Sequence, residues 1–151
     1  MKITFCGHRD VLDSKSVEAW LRIVCEELIQ QGANEFLLGG YGRFDSLCAA
    51  VLRDMKKQHP DIHLVLVLPY LNSTMITDGY DSTVYPPLES VPRRFAISRR
   101  NEWMVSESDV VVAYVIRGFG GAARTLDYAR RKKKPIIRFQ YDGEKDRPVA
   151  T

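Results

Sequence analysis

Three glycine-containing segments carry the residues of this sequence that are best suited to bind an anion. They are Gly7-His8-Arg9, Gly39-Gly40-Tyr41-Gly42 and Gly118-Phe119-Gly120-Gly121, and each follows a short apolar run. Glycines let backbone N–H groups approach a ligand closely and adopt positive φ. Where such a loop leads into a helix, the unpaired N–H groups of the first helical turn add to the site, and the anion that binds there is most often phosphate. For any single loop, the alternative is a tight strand-to-helix turn without a ligand.

Polar side chains beside these loops have the chemistry to complete a phosphate site. The guanidinium groups of Arg9 and Arg100 can pair with phosphate oxygens through two parallel hydrogen bonds. His8 is either a neutral imidazole that hydrogen-bonds a ribose or phosphate or a loop histidine that caps the following turn. Asp45 either accepts from ribose hydroxyls or caps its own helix. The sequence leaves both pairs of alternatives open.

The apolar periodicity predicts strands that alternate with helices. The predicted strands are Lys2–Cys6, Phe36–Leu38, Ile62–Leu68, Val110–Val115 and Pro135–Phe139; the main helices are Ser14–Gln31, Leu47–Gln58, Ile97–Ser106 and Ala122–Arg131. This alternation indicates an α/β fold with a doubly wound parallel sheet of about five strands and helices on both faces. In such sheets ligands bind outside the carboxyl ends of the strands, where the strand order reverses. We therefore expect the three glycine loops to meet at one edge.

Length and composition indicate one cytoplasmic domain. The chain has 151 residues and a net charge of +3, so no strong overall field points to nucleic acid or a membrane. No apolar run approaches the roughly 20 residues of a membrane helix. The three cysteines lack metal-ligand spacing and suit a reducing compartment. We expect a domain over residues 1–140, a polar tail over 141–151, no metal and no cofactor.

One long connection interrupts the pattern. Tyr70 to Pro92 is rich in Asn, Ser, Thr, Asp, Gly and Pro. A connection of this length in a compact domain is usually a lid or binding loop, or else disordered.

Four motifs, in order, resemble those of the YpsA-like proteins. Phe5-Cys6-Gly7-His8-Arg9-Asp10 is similar to their TGHR opening, and Gly39 to Asp45 to their second glycine motif. Arg100-Asn101-Glu102-Trp103-Met104-Val105 is similar to their RN-x-WM-V segment, and Gly120-Gly121 with Thr125 to their final GG-T. The resemblance covers nearly the whole chain. It places the chain in the SLOG superfamily, which includes the LOG phosphoribohydrolases and DprA.

The resemblance implies a Rossmann-like fold that binds nucleotides or nucleotide-derived ligands, including ADP-ribose-type signals, and assembly as a homo-oligomer. It does not imply one reaction. LOG enzymes carry PGG-x-GT-x-x-E with a catalytic glutamate and an arginine from an earlier helix. Aligned on the paired glycines, Asp127 stands where that glutamate would be, one methylene shorter, and Arg100 could supply the arginine. Asp127 is otherwise a solvated helix residue, which we favour.

We therefore predict a sensor or sequestering protein that binds a nucleotide-derived, phosphate-bearing small molecule. The alternatives are a LOG-type phosphoribohydrolase or N-glycosidase that uses Asp127 and Arg100, and DprA-like binding of single-stranded nucleic acid, which the low net charge disfavours. Tyr41, Phe44 and Phe119 are candidates for base stacking, with a core role preferred for Phe44. The predicted ligand-binding residues are Gly7, His8, Arg9, Gly39, Gly40, Tyr41, Gly42, Phe44, Asp45, Arg99, Arg100, Asn101, Gly118, Phe119, Gly120, Gly121, Ala122, Arg124 and Thr125.

Overall fold

The computed structural model describes residues 1–71 and 75–140. The predicted tail, residues 141–151, and a short part of the long connection lie outside the described residues. Within them, the strands are β1 (Lys2–Gly7), β2 (Glu35–Leu38), β3 (His63–Val67), β4 (Ser82–Val84), β5 (Val110–Tyr114) and β6 (Ile136–Arg138). The helices are α1 (Ser14–Gln30), α2 (Gly42–Met55), α3 (Ala96–Glu107) and α4 (Gly121–Arg131), with a 3-10 turn at Arg93–Phe95.

The sheet has the order β4-β3-β2-β1-β5-β6, and all its strand pairs are parallel. The predicted α/β fold is confirmed, but the described sheet has six strands instead of about five. The additional strand, β4, lies inside the long connection and pairs with β3 from Val65↔Ser82 to Val67↔Val84. Its sequence, Ser-Thr-Val, offers one apolar side chain, so hydrophobic patterning gave no signal for it.

Two apolar layers cover the two faces of the sheet. On one face, Phe5, Phe36 and Tyr114 pack against the buried stripes of α1 and α2. On the other, Val111 and Ala113 of β5 pack against the buried alanines and leucine of α4. Burial on both sides explains the unbroken apolar run of β5, since each strand face must exclude water. Fully burying one such side chain contributes about 1.5–3 kcal/mol. None of the helices within the described ranges combines the length and apolar character needed to cross a bilayer.

The strand order reverses beside β1. The chain runs outward from β1 through β2 and β3 to β4, and then returns to place β5 on the other side of β1. Gly7 at the end of β1 is in register with Tyr114 at the end of β5. The carboxyl ends of these two strands therefore form the crevice in which ligands of doubly wound sheets bind.

Candidate functional site

A cavity of about 630 Å³ opens at this crevice. Its walls come from β1 and the segment after it, the segment between β5 and α4, one side of α4 as far as Arg131, the first three turns of α3, and the start of α2. Small-molecule sites typically occupy about 300–1,000 Å³. The predicted residues that line it are Gly7, His8, Arg9, Tyr41, Asp45, Arg100, Asn101, Gly120, Gly121, Ala122, Arg124, Thr125 and Asp127. Among the described residues, the predicted ones outside its walls are Gly39, Gly40, Gly42, Phe44, Arg99, Gly118 and Phe119.

The loop between β5 and α4 has free space around its glycines. A Cβ placed on Gly118, Gly120 or Gly121 would meet no described atom within 4 Å. Gly120 has φ +93°, which L side chains rarely adopt. The N–H of Arg124 makes the first bond of α4, to the carbonyl of Gly120 at 3.1 Å. The amides of the preceding turn therefore have no acceptor in the helix, and they stand at its positive end.

The β2–α2 loop already holds an anion of its own. The carboxylate of Asp45 accepts from the backbone N–H of Tyr41 at 3.3 Å, and the nearby amides of Gly39 and Gly40 act with Tyr41 to lower the pKa of Asp45. α2 begins at Gly42, five residues before the predicted start, so Asp45 lies in its first turn. Asp45 thus reaches back from the first turn to the N–H of Tyr41, the residue before the helix, much as the acidic partner of a capping box does, and no side chain caps the helix from the N-cap position itself. Gly39 and Gly40 lie outside the cavity walls, and binding of their amides to a ligand stays a prediction.

Packing accounts for the glycines of that loop. A Cβ on Gly40, which has φ +76°, would lie 2.4 Å from Cε of Met75. A Cβ on Gly42, which has φ +86°, would lie 2.9 Å from Cα of Arg9. Both distances are too short for real contacts, so the chain needs glycine here whether or not a ligand binds.

Arg100 is buried beneath the cavity, with 2% of its surface exposed. Its Nη1 donates to the carbonyls of Gly39 at 3.0 Å and Val67 at 2.9 Å, and its Nε donates to Oδ1 of Asn101 at 2.9 Å. These bonds tie α3 to the carboxyl ends of β2 and β3. A guanidinium held in this way is a structural cation, and its geometry does not favour a bidentate grip on phosphate.

Arg100 and Asp45 form an oppositely charged pair around the backbone of Gly39. A Cβ on Gly39 would lie 3.1 Å from both Cζ of Arg100 and Oδ2 of Asp45. Burial raises the pKa of Asp45 to about 6, although Arg100 and the loop amides act to lower it. Burial also lowers the pKa of Arg100. Desolvation thus outweighs the attraction at both groups, as expected where water is excluded.

Exposed arginines surround the cavity mouth. Arg9, Arg117, Arg124 and Arg131 are all exposed and line it. Sequence reasoning included Arg9 and Arg124 but missed the other two. Arg131 stands seven residues after Arg124, which places the two on one face of α4, and this spacing was the available signal. The carboxylates of Asp10, Glu102 and Asp127 also line the cavity, so its charge is mixed.

Three predicted residues have other contacts in the structure. Phe44 is fully buried and stacks on Tyr114, with ring centroids 5.7 Å apart. It therefore lies in the core, and its ring is not accessible for stacking on a base. The hydroxyl of Thr125 donates to the carbonyl of Gly121 at 2.9 Å within α4. Asp127 is exposed and lies 3.5 Å from Nη1 of Arg130. Arg99 is exposed on α3.

Two predicted aromatic residues keep exposed rings near the cavity. Tyr41 is 39% exposed and lines the cavity. Phe119 is 71% exposed and lies outside the cavity walls, with the guanidinium of Arg117 at 5.4 Å from its ring centroid.

Within the described part of the chain, no group of three or more His, Cys, Asp or Glu side chains could hold a metal ion.

No family model and no curated protein sequence matches this chain. Several solved structures do match it in fold. DNA processing protein A from Helicobacter pylori, whose structure concerns single-stranded DNA binding, matches with TM-score 0.64 and 17% identity over 93% of this chain and 66% of its own. DprA from Streptococcus pneumoniae matches with TM-score 0.63 and 16% identity, over 96% of this chain and 53% of its own.

The molybdenum cofactor carrier protein from Chlamydomonas reinhardtii matches with TM-score 0.60 and 17% identity, over 91% of this chain and 74% of its own. This chain thus spans just under two thirds of the Helicobacter protein and about half of the Streptococcus protein. At these identities the likeness is one of fold. The structures show that the chain shares the Rossmann-like α/β fold of these proteins, and assignment to the YpsA-like family and the SLOG superfamily stays a prediction.

Proposed function

We propose that this protein binds a nucleotide-derived, phosphate-bearing small molecule in the cavity beside β1 and β5, and that the phosphate lies on the amides at the start of α4. Through this binding the protein acts as a sensor of that molecule or sequesters it. The observation that carries the proposal is the open space around Gly120 and Gly121, which line the cavity. Packing explains the glycines of the β2–α2 loop, whereas nothing packs against these two.

Charge supports the same position for the phosphate. The start of α4 carries the positive end of the helix dipole, equivalent to about half a charge. Arg117 and Arg124 flank that helix start and line the cavity, and both are exposed. A helix start and two arginines suit a phosphate ester better than a neutral ligand.

The rest of the cavity suits a nucleoside. Tyr41 exposes an aromatic ring in its wall, and aromatic rings bind bases by stacking. Asn101 and Asp10 offer hydrogen-bonding groups for a sugar or base. The whole volume is large enough for a nucleotide.

The enzymatic alternative is less well supported by the geometry. A LOG-type reaction would need Asp127 and Arg100 to act on one substrate. Arg100 is engaged beneath the cavity by two backbone carbonyls. Asp127 is exposed and lies beside Arg130. Release of free base from AMP or ADP-ribose, abolished by Asp127→Asn, would nevertheless establish this alternative.

Single-stranded nucleic acid is a second candidate, and the row of arginines on α4 favours it. Arg124 and Arg131 lie two helical turns apart on the cavity side, about 10 Å along the axis. DprA-like folds in the compared structures make this partner reasonable. The affinity for an oligonucleotide would then fall steeply with salt, because each phosphate contact releases a counterion.

The test begins with mass spectrometry of small molecules released by heat from the purified protein. Calorimetric titration with AMP and ADP-ribose follows, on the wild type and on Gly121→Leu. A Cβ at this position would meet no atom of the free protein within 4 Å. The leucine side chain beyond it should fill the place of the phosphate, so affinity should fall tenfold or more. Ala19→Leu, at an exposed position of α1, is the matched control. Unchanged affinity in Gly121→Leu would contradict the proposed phosphate position.

A further inference from the structure

His8 lies at the point where the strand order reverses, and it connects the ends of β1 and β5. Its backbone N–H donates to the carbonyl of Tyr114 at 3.3 Å. Its ring nitrogen Nε2 accepts from the backbone N–H of Ile116 at 3.0 Å. The ring also meets the ring of Tyr114 edge to face, with centroids 5.8 Å apart. The imidazole is therefore fixed in position and orientation.

The bond from Ile116 decides the protonation state of the ring. A backbone N–H can only donate, so Nε2 must carry no hydrogen, and a neutral imidazole then carries its hydrogen on Nδ1. The surroundings agree with a neutral ring. Burial, followed by Arg117 of the β5–α4 loop and Arg138 of β6, lowers the pKa of His8, and only Asp10 acts in the opposite direction.

The described residues provide no acceptor for the Nδ1–H group. No buried side-chain nitrogen or oxygen among them lacks a hydrogen-bond partner, so Nδ1 keeps some access to solvent. His8 is only 3% exposed and it lines the cavity, so the cavity is the space that can supply the missing acceptor.

We infer that His8 donates its Nδ1–H to an acceptor oxygen of the bound phosphate ester, while its Nε2 anchors the start of the loop that binds the same phosphate. This inference rests on the proposed function. It gives His8 two roles, as a ligand contact and as a positioning residue for Ile116 to Gly121. A ring with its hydrogen fixed on Nδ1 offers a donor to the ligand, so it selects an acceptor such as a phosphate oxygen over a donor such as an amine.

Two variants separate the two roles. His8→Gln can place its amide oxygen near the position of Nε2, which retains an acceptor for Ile116 but removes the donor. His8→Asn can place its amide nitrogen near the position of Nδ1, which retains a donor but removes the acceptor. We expect both to bind ADP-ribose about tenfold or more weakly than the wild type, since one hydrogen bond to a charged group is lost or misplaced. Only His8→Asn should shift the amide resonance of Ile116 strongly in the free protein.

The first measurement is the ¹⁵N–¹H spectrum of the imidazole in the ligand-free wild type at pH 7.5, which distinguishes the two neutral tautomers from the imidazolium. The expected result is the tautomer protonated at Nδ1. The tautomer protonated at Nε2, or a charged ring, would overturn the inference, as would wild-type affinity for ADP-ribose in His8→Gln. If the wild type binds neither AMP nor ADP-ribose, the proposed function and the ligand contact both fail, whereas the spectrum still decides the anchoring role.

Discussion

Replacing Arg100 by methionine tests whether the arginine of the RN-x-WM-V segment is structural. The substitution keeps most of the aliphatic stem and removes the guanidinium. It leaves the buried carbonyls of Gly39 and Val67 without their donor and the Asp45 carboxylate without its cation. An unsatisfied buried group costs about 1–3 kcal/mol, and this substitution leaves two such carbonyls. With both carbonyls affected, we expect a loss of about 3–5 kcal/mol.

The assay is equilibrium unfolding in urea, followed by circular dichroism and by tryptophan fluorescence. A loss of this size corresponds to a fall in Tm of roughly 6–20 °C for a domain of this length. Arg99→Met is the matched control, because Arg99 precedes Arg100 on α3 but is exposed. Its free energy of unfolding should stay within about 0.5 kcal/mol of the wild type.

A second substitution checks the physical cause. Asp45→Asn combined with Arg100→Met removes the unpaired carboxylate, so the double variant should be more stable than the sum of the two single changes indicates. A LOG-type catalytic arginine makes the opposite prediction, namely an active-site change with little effect on stability. A loss below about 1 kcal/mol in Arg100→Met would refute the structural assignment.

Three further changes test other parts of the structure. Gly7→Ala places a Cβ 2.2 Å from Cδ2 of Phe44, and overpacking of this kind lowers the free energy of chemical unfolding by about 1–3 kcal/mol. Gly121→Ala is the control, because its Cβ would meet nothing within 4 Å, and it should leave the free energy of unfolding almost unchanged. Equal effects of the two substitutions would contradict the packing argument. Because folding raises the pKa of Asp45 to about 6, this group favours the folded state when protonated, and its contribution is lost as pH rises from about 4 through 6. Asp45→Asn should remove that part of the pH dependence of stability, and an unchanged profile would count against the raised pKa. Phe44→Leu should lower the free energy of unfolding but leave the affinity for ADP-ribose within about twofold, since the ring is fully buried. A loss of affinity without a loss of stability would show that Phe44 contacts the ligand.

The alternation of apolar runs and helical stripes was sufficient to predict the parallel sheet and the edge at which the glycine loops meet. Gly7 ends β1, and Gly39 and Gly118 come after β2 and β5; the carboxyl ends of these strands lie together because all the strands are parallel. β4 was missed because a three-residue edge strand with one apolar side chain has no periodicity to detect.

The roles of the site residues were harder to predict, because they depend on contacts between distant parts of the chain. Asp45 and Arg100 are 55 residues apart in the sequence, and nothing local shows that they flank the same glycine. One signal was available for Arg100. Ala96, Arg100 and Met104 recur at intervals of four residues on the buried face of α3, so a charged residue stands on an apolar stripe. Predictions of a homo-oligomer and of a cytoplasmic location stay predictions.

The most direct test of the proposed site is an amide ¹⁵N–¹H titration of the protein with ADP-ribose. A phosphate on the start of α4 predicts that the largest saturable shifts fall on Gly120, Gly121 and Ala122, with smaller ones on the amides of Gly39 and Gly40, which lie outside the cavity walls. Binding that leaves the amides at the start of α4 unmoved, or no saturable shift at millimolar ligand, would contradict the account.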